Sequence, residues 1–174
     1  MNYYSTTQTL KEWVNTIEVK FNDLPLKDSV KQITTILSID DKREITKITK
    51  ASLIVYAKKL GVLTFEDACK KLGISPTLPD VSNILPTYQK KQIAFHKLCV
   101  IAEVLNNGWE PDWNNPSQYK YFPWFDLKEG FSYYAAIIYS TNTDVPSALC
   151  FEDTELAEFM GRYFIDLYKD YLIK

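Results

Sequence analysis

Between Tyr119 and Tyr134, eight of sixteen residues are aromatic, and Pro123 and Gly130 interrupt them. A proline and a glycine in so short a stretch bar a continuous helix, so the segment must be extended or looped. Residues 119–127 and 131–139 read as two strands joined around Lys128-Glu129-Gly130. Pro123 cannot donate to a ladder, which makes the first strand an edge. Because strand side chains alternate, Tyr119, Tyr121 and Phe125 share one face, and Phe122 and Trp124 the other. A third short strand, Ala148 to Phe151, is predicted after the turn-rich stretch Ser140–Ser147.

The last helix follows directly. Leu156, Phe159, Met160, Tyr163, Phe164, Leu167 and Tyr171 fall on one stripe, with Asp153 as N-cap. Strands followed by a helix predict an α+β fold: a mainly helical N-terminal part, then a small antiparallel sheet of about three strands with the C-terminal helix packed on one face. One helix shields only one side of such a sheet. Some of the rings must therefore meet solvent, another element or a partner.

Upstream, Leu10, Trp13, Val14, Ile17 and Phe21 stand at helical spacing, and Leu26, Val30, Ile33 and Leu37 mark a second helix. Residues 42–60 fit a helix ending at Gly61, although the Thr- and Ile-rich run from Ile33 to Thr49 also fits a hairpin. Thr64-Phe65-Glu66-Asp67 has the form of a capping box, opening a short helix that Gly73 stops. Residues 74–86, with three prolines, run extended, and a long helix starts near Thr87 and ends at Gly108. The expected division is a helical region over 1–63, possible as a subdomain, and an α+β domain over 64–174.

The bulk numbers exclude several classes. The apolar fraction of 46% and charged fraction of 24% are those of a globular chain, while 14% aromatic is high. Cys69, Cys99 and Cys150 are odd in number and far apart, neither a disulfide framework nor a paired metal-ligand set. The N-terminus has no apolar signal core, and no apolar run approaches the ~18 residues of a membrane span. A cytoplasmic location with no membrane partner is the expectation. Net charge hides an asymmetry: residues 42–97 carry eleven Lys/Arg and four Asp/Glu, residues 98–174 five and twelve. Such a split marks either a basic face for a polyanion or two regions with complementary rims.

Few residues carry chemistry. Trp109-Glu110-Pro111-Asp112-Trp113 sets two carboxylates between two indoles, a pattern met in sugar grooves but also in loops whose Asp and Asn cap turns. His96, the only histidine, stands three residues before Cys99, yet a structural zinc needs four ligands and nothing local completes the set. There is no nucleophile elbow, P-loop or dinucleotide fingerprint. No catalytic residue, metal or cofactor is therefore expected.

The stretches NNGWEPDWNNPSQYKYFPWF (Asn106–Phe125), GFSYY (Gly130–Tyr134) and LCFEDTELAEFMGRYFIDLYKDYL (Leu149–Leu172) resemble an uncharacterised family. Its members look like products of phages, prophages and other mobile elements of gut Bacteroidetes-type bacteria. TFEDACKKLGISPTLPDVSNILP (Thr64–Pro86) fits the same pattern, so the resemblance spans residues 64–172. Where that family has an Arg ahead of the Leu-Cys-Phe triplet, this chain reads Val145-Pro146-Ser147-Ala148, which puts an Arg-dependent role there in doubt. The resemblance implies a source and no activity.

Three functional readings stand. The first is a non-enzymatic phage- or mobile-element-type accessory protein that binds another protein through Trp109, Trp113, Tyr119, Tyr121 and Trp124, since exposed Tyr and Trp supply interface hot spots. The second is a nucleic-acid-binding module. It would stack bases on those rings and draw phosphates to Lys42, Arg43, Lys47, Lys50, Lys58, Lys59, Lys70, Lys71, Lys90 and Lys91, with Lys120 and Lys128 beside the rings. The third is an enzyme or small-ligand binder resting on Glu110, Asp112 and His96.

Overall fold

The computed structural model describes residues 8–21, 23–128 and 130–173. The chain divides into two compact units, one up to Gly61 and one from Val62 onward.

The first unit holds three helices: α1 (Leu10–Lys20), α2 (Leu26–Ile36) and α3 (Lys42–Leu60). Residues 42–60 are thus helix, not hairpin. Asp41 fixes the start of α3 by accepting from the Arg43 and Glu44 amides, and Gly61 at φ 64° ends it. Of the predicted stripe of α1, Trp13, Val14 and Ile17 are buried and pack with Ile33, Ile48, Ala51 and Val55, Phe21 packs partly buried against them, and Leu10 is exposed.

A polar knot sits in this apolar core. Trp13 is 0% exposed and Glu44 3% exposed. The Trp13 indole Nε1 donates to Glu44 Oε2 at 2.8 Å, and Lys47 Nζ donates to Glu44 Oε1 at 2.6 Å and to the Gln8 carbonyl at 2.8 Å. Burial pushes the Glu44 carboxyl up, but the hydrogen bonds from Lys47 and Trp13 more than offset it and leave it below the ordinary glutamate value. A depressed native value means that the unfolded chain takes up the proton first. The stabilisation is therefore complete above the ordinary glutamate value, near pH ~4.3, and is lost as pH falls through the native one. We expect Glu44→Gln to destabilise the first unit at pH 7 by about 1–3 kcal/mol, and urea melts from pH 7 to 3 to show the gap to wild type closing toward the acid end.

The second unit holds α4 (Phe65–Leu72), α5 (Pro86–Asn106), β1 (Lys120–Asp126), β2 (Ser132–Tyr139), a 3-10 turn (Ser147–Leu149), α6 (Thr154–Tyr163) and α7 (Ile165–Leu172). The capping box at Thr64 and Asp67 is formed, and Gly73 at φ 68° closes α4. Asp153 caps α6 by accepting from the Leu156 amide at 2.8 Å. The fold is α+β and mostly helical, with α4 and α7 packed on α5 and α6 packed on the sheet.

The sheet has two strands, not three. Residues 147–149 wind into the 3-10 turn, and only Phe151 reaches β1, as a single antiparallel bridge to Tyr121. The proline explains the stop. Tyr121 exchanges both backbone hydrogen bonds with Phe151 (3.0 and 2.7 Å), so by alternation the next residue facing that way is Pro123, which has no N–H to offer.

The predicted last helix is broken at Phe164 into α6 and α7. No proline or glycine stands at the break. The two halves pack on different partners, α6 on the sheet and α7 on α5. Phe164 turns inward between them, edge-on to Phe159 and Tyr163.

Gly161 lets α6 lie close on the sheet. A Cβ at this position would stand 2.5 Å from Pro123 Cβ and 2.6 Å from Tyr133 Cδ2. Alanine is about 1 kcal/mol better than glycine within a helix, but a proline ring cannot step aside, so overpacking decides the sign. We expect Gly161→Ala to lower stability by about 1–3 kcal/mol in thermal or urea melts; a gain would contradict the close approach.

Candidate site: an aromatic hairpin anchored by a buried lysine

β1 and β2 pair antiparallel from Lys120↔Tyr139 to Asp126↔Ser132. Trp124 faces Ala135 and Phe125 faces Tyr133, so Tyr134 is an extra residue on β2, a β-bulge. Residue 129 of the hairpin connection lies outside the described residues.

The rings divide between core and surface. Phe122 is sealed, stacked on Tyr139 with centroids 5.0 Å apart and meeting Trp124 edge-on at 6.0 Å. Phe125 lies between Phe131 at 4.7 Å and Tyr168 at 4.8 Å. Tyr133 is covered by the Arg162 guanidinium 4.3 Å from its centroid, and burial, with Glu158 adding and Arg162 opposing, pushes its hydroxyl up to about 12. Left outside are Tyr119 (54% exposed), Trp124 (43%) and Tyr134 (69%).

The loop before β1 is ordered by Lys120, which is 0% exposed. Its Nζ donates to the carbonyls of Gln118 (2.7 Å), Ser140 (2.8 Å), Asn115 (3.3 Å) and Asp112. The Trp113 ring lies 5.2 Å away. No carboxylate forms an ion pair with it among the described residues. Four carbonyl dipoles and an indole thus replace the hydration shell of a buried ammonium. Lys120 alternates onto the same side of β1 as the buried Phe122, which is why it points inward.

The rest of the loop follows from this anchor. Asp112 Oδ1 accepts from the Asn114 amide at 2.9 Å, and Asn115 Oδ1 from the Ser117 amide at 2.9 Å, both Asx turns. The Gln118 side chain bridges the Asp112 amide (2.6 Å) and the Glu110 carbonyl (3.1 Å). Trp113 Nε1 donates to Ser147 Oγ at 3.1 Å.

Of the five sequence candidates, Tyr119 and Trp124 are exposed, whereas Trp109, Trp113 and Tyr121 are half-buried. No ring contact joins any two of the five among the described residues. Trp113 belongs to the lysine anchor. Tyr121 carries the bridge to Phe151.

Lys120 was expected to stand beside the rings ready for a phosphate, but its burial removes it from any such contact. Three of the other basic candidates are already paired: Lys47 with Glu44, Lys58 with Glu18 and Lys90 with Asp170. His96 meets Phe65 edge-on at 5.8 Å, and no cluster of three potential metal ligands occurs among the described residues. Burial pushes the Cys99 and Cys150 thiols up to about 11, which leaves them poor nucleophiles near neutral pH.

The sequence reading missed two things: the lysine anchor and a concave apolar site. A cavity of about 300 Å³ opens between β1, residues 144–149 and α7, lined among others by Phe122, Trp124, Phe125, Tyr168 and Tyr171. Neither Glu110 nor Asp112 lines it. No described helix is long and apolar enough to cross a membrane. Comparison with protein-family models, with curated proteins and with solved structures found no match for the chain.

Lys120→Met keeps the length of the side chain but leaves buried carbonyls without a donor, each costing about 1–3 kcal/mol unless water enters. We expect the second unit to lose about 3 kcal/mol and residues 109–118 to become the first site of limited proteolysis. Unchanged stability and cleavage would contradict the anchoring role.

Proposed function

We propose that the chain is a non-enzymatic accessory protein, of the phage- or mobile-element kind its sequence resembles, and that it acts by binding another protein along the outer edge of β2. The observation that carries this reading is an unguarded edge. β2 pairs with β1 on one side, and its other side has no hydrogen-bonded neighbour among the described residues. By alternation, the backbone groups of Ala136 and Ile138 face outward there.

Natural edge strands are blunted by lysine, proline or a covering element, because free N–H and C=O groups invite pairing. Ser-Tyr-Tyr-Ala-Ala-Ile-Ile-Tyr over 132–139 carries no charge and no proline. Tyr134 at 69% and Ile138 at 48% exposure stand beside the open groups. A partner segment adding as a strand would gain main-chain hydrogen bonds from the edge and side-chain contacts from these two residues. The Asp112 carboxylate is taken up in an Asx turn, and neither Glu110 nor Asp112 lines the cavity, which supports binding over catalysis.

Tyr134→Lys with Ile138→Lys tests the reading, because it adds the guard that the edge lacks. Affinity capture from host extract with the wild-type chain is expected to retain a defined protein that the double variant loses at least tenfold, with melting temperatures within about 2 °C. Equal retention by the two proteins would overturn it.

A further inference from the structure

We propose that the cavity between β1, residues 144–149 and α7 is a binding site for a small organic cation, an ammonium carried on an apolar or aromatic body. The cavity measures about 300 Å³, the lower end of the range in which small-molecule sites fall. Five aromatic residues line it: Phe122, Trp124, Phe125, Tyr168 and Tyr171. The one charged residue in the lining is Asp144, and no lysine, arginine or histidine is present.

That inventory selects the ligand by charge. Aromatic faces carry negative quadrupole density and attract cations, and quaternary or substituted ammonium ions are the ligands such aromatic enclosures recognise. The exposed Asp144 carboxylate adds a negative charge from the 144–149 wall. Asp144 is held in place by Tyr139, whose hydroxyl donates to Asp144 Oδ2 at 2.9 Å, leaving Oδ1 for a ligand. Tyr139 in turn stacks on Phe122, so the acid is tied to the aromatic wall through one rigid ring pair. An anion would meet repulsion from Asp144, and the nearby Lys91 ammonium is not in the lining and donates to the Leu172 carbonyl. A neutral body would fill the space but leave the carboxylate unused.

The walls are set before any ligand arrives. Phe122 is 1% exposed, Tyr168 is buried, and Phe125 is clamped between Phe131 and Tyr168. The rings therefore lose little freedom on binding, which favours affinity for a small ligand. Trp124, 43% exposed, stands at the solvent side and serves as a reporter.

Titration of the full chain with benzyltrimethylammonium, benzyl alcohol and benzylsulfonate, followed by amide NMR shifts and tryptophan fluorescence, tests the proposal. The cation is expected to saturate at millimolar or lower concentration, with shifts gathered at 122–127, 144–149 and 168–172. Benzyl alcohol and benzylsulfonate are expected to bind at least fivefold more weakly, and Asp144→Asn, which keeps an acceptor for Tyr139, to weaken the cation at least fivefold. Equal binding of the alcohol, measurable preference for the sulfonate, no saturation by the cation, or an unaltered Asp144→Asn would each overturn it. A peptide bearing trimethyl-lysine that binds where the free cation does not would also overturn it, by assigning the site to a protein partner. The strand-edge variants leave this cavity untouched, so failure here and failure of the edge reading are separate results.

Discussion

One ammonium group organises the second unit's most unusual region. Lys120 is a buried ammonium with no ion-paired carboxylate among the described residues, and the chain answers with carbonyls from residues 112, 115, 118 and 140. A lysine has only three donor hydrogens, so four acceptors converge because the loop folds around the charge. The Trp109–Gln118 segment, rich in residues that favour turns over regular structure, gains a single conformation from that convergence. The Ser140 carbonyl ties the end of β2 to the same point. Loop and hairpin are thereby held to one atom's surroundings.

The sheet is finished by what the backbone lacks. Pro123 removes the N–H that would have extended a third strand past Tyr121, and it presents a compact ring to α6. Gly161, having no Cβ, leaves room for that ring on the α6 side, so helix and sheet approach closely. With one edge of β1 ended by proline and α6 packed on the sheet, the open edge of β2 and the aromatic cavity beside β1 are left for recognition among the described residues. The bulge at Tyr134 is part of the same economy of space, because the extra residue is the one turned outward.

Much of this fold was legible in the sequence. The helices α1, α2 and α5 follow from periodicity, α3 was open between helix and hairpin, and the Thr64 box and Gly73 stop were read from two short motifs. The two strands and their order followed from alternation around Gly130. The break at Phe164 was not legible, since it comes from packing against two different partners and leaves no breaker in the chain. The third strand failed because Pro123 blocks the outer side of β1, a consequence that depends on register and not on propensity. Tyr119 and Trp124 are exposed although alternation puts them on opposite faces, so the sheet is not divided into one covered and one open side, and Trp113 was absorbed by the lysine. The cavity had no sequence signal: its walls come from residues 122 to 172, joined only by the fold. Nor does sequence distinguish Lys120 from a surface lysine, because strand lysines usually face water. Only the parity it shares with the buried Phe122 hinted at the inside.

The central claim is that the Lys120 ammonium is sealed from water and hydrogen-bonded to main-chain carbonyls. Its most direct test is nitrogen-15 NMR of the lysine side-chain ammonium groups. The account predicts one Nζ resonance with protons that exchange slowly with solvent and persist near neutral pH at room temperature, assigned to Lys120 by its loss in Lys120→Met. If no lysine shows such protection, and every ammonium exchanges as a surface group does, the anchor does not exist and the arrangement built on it falls.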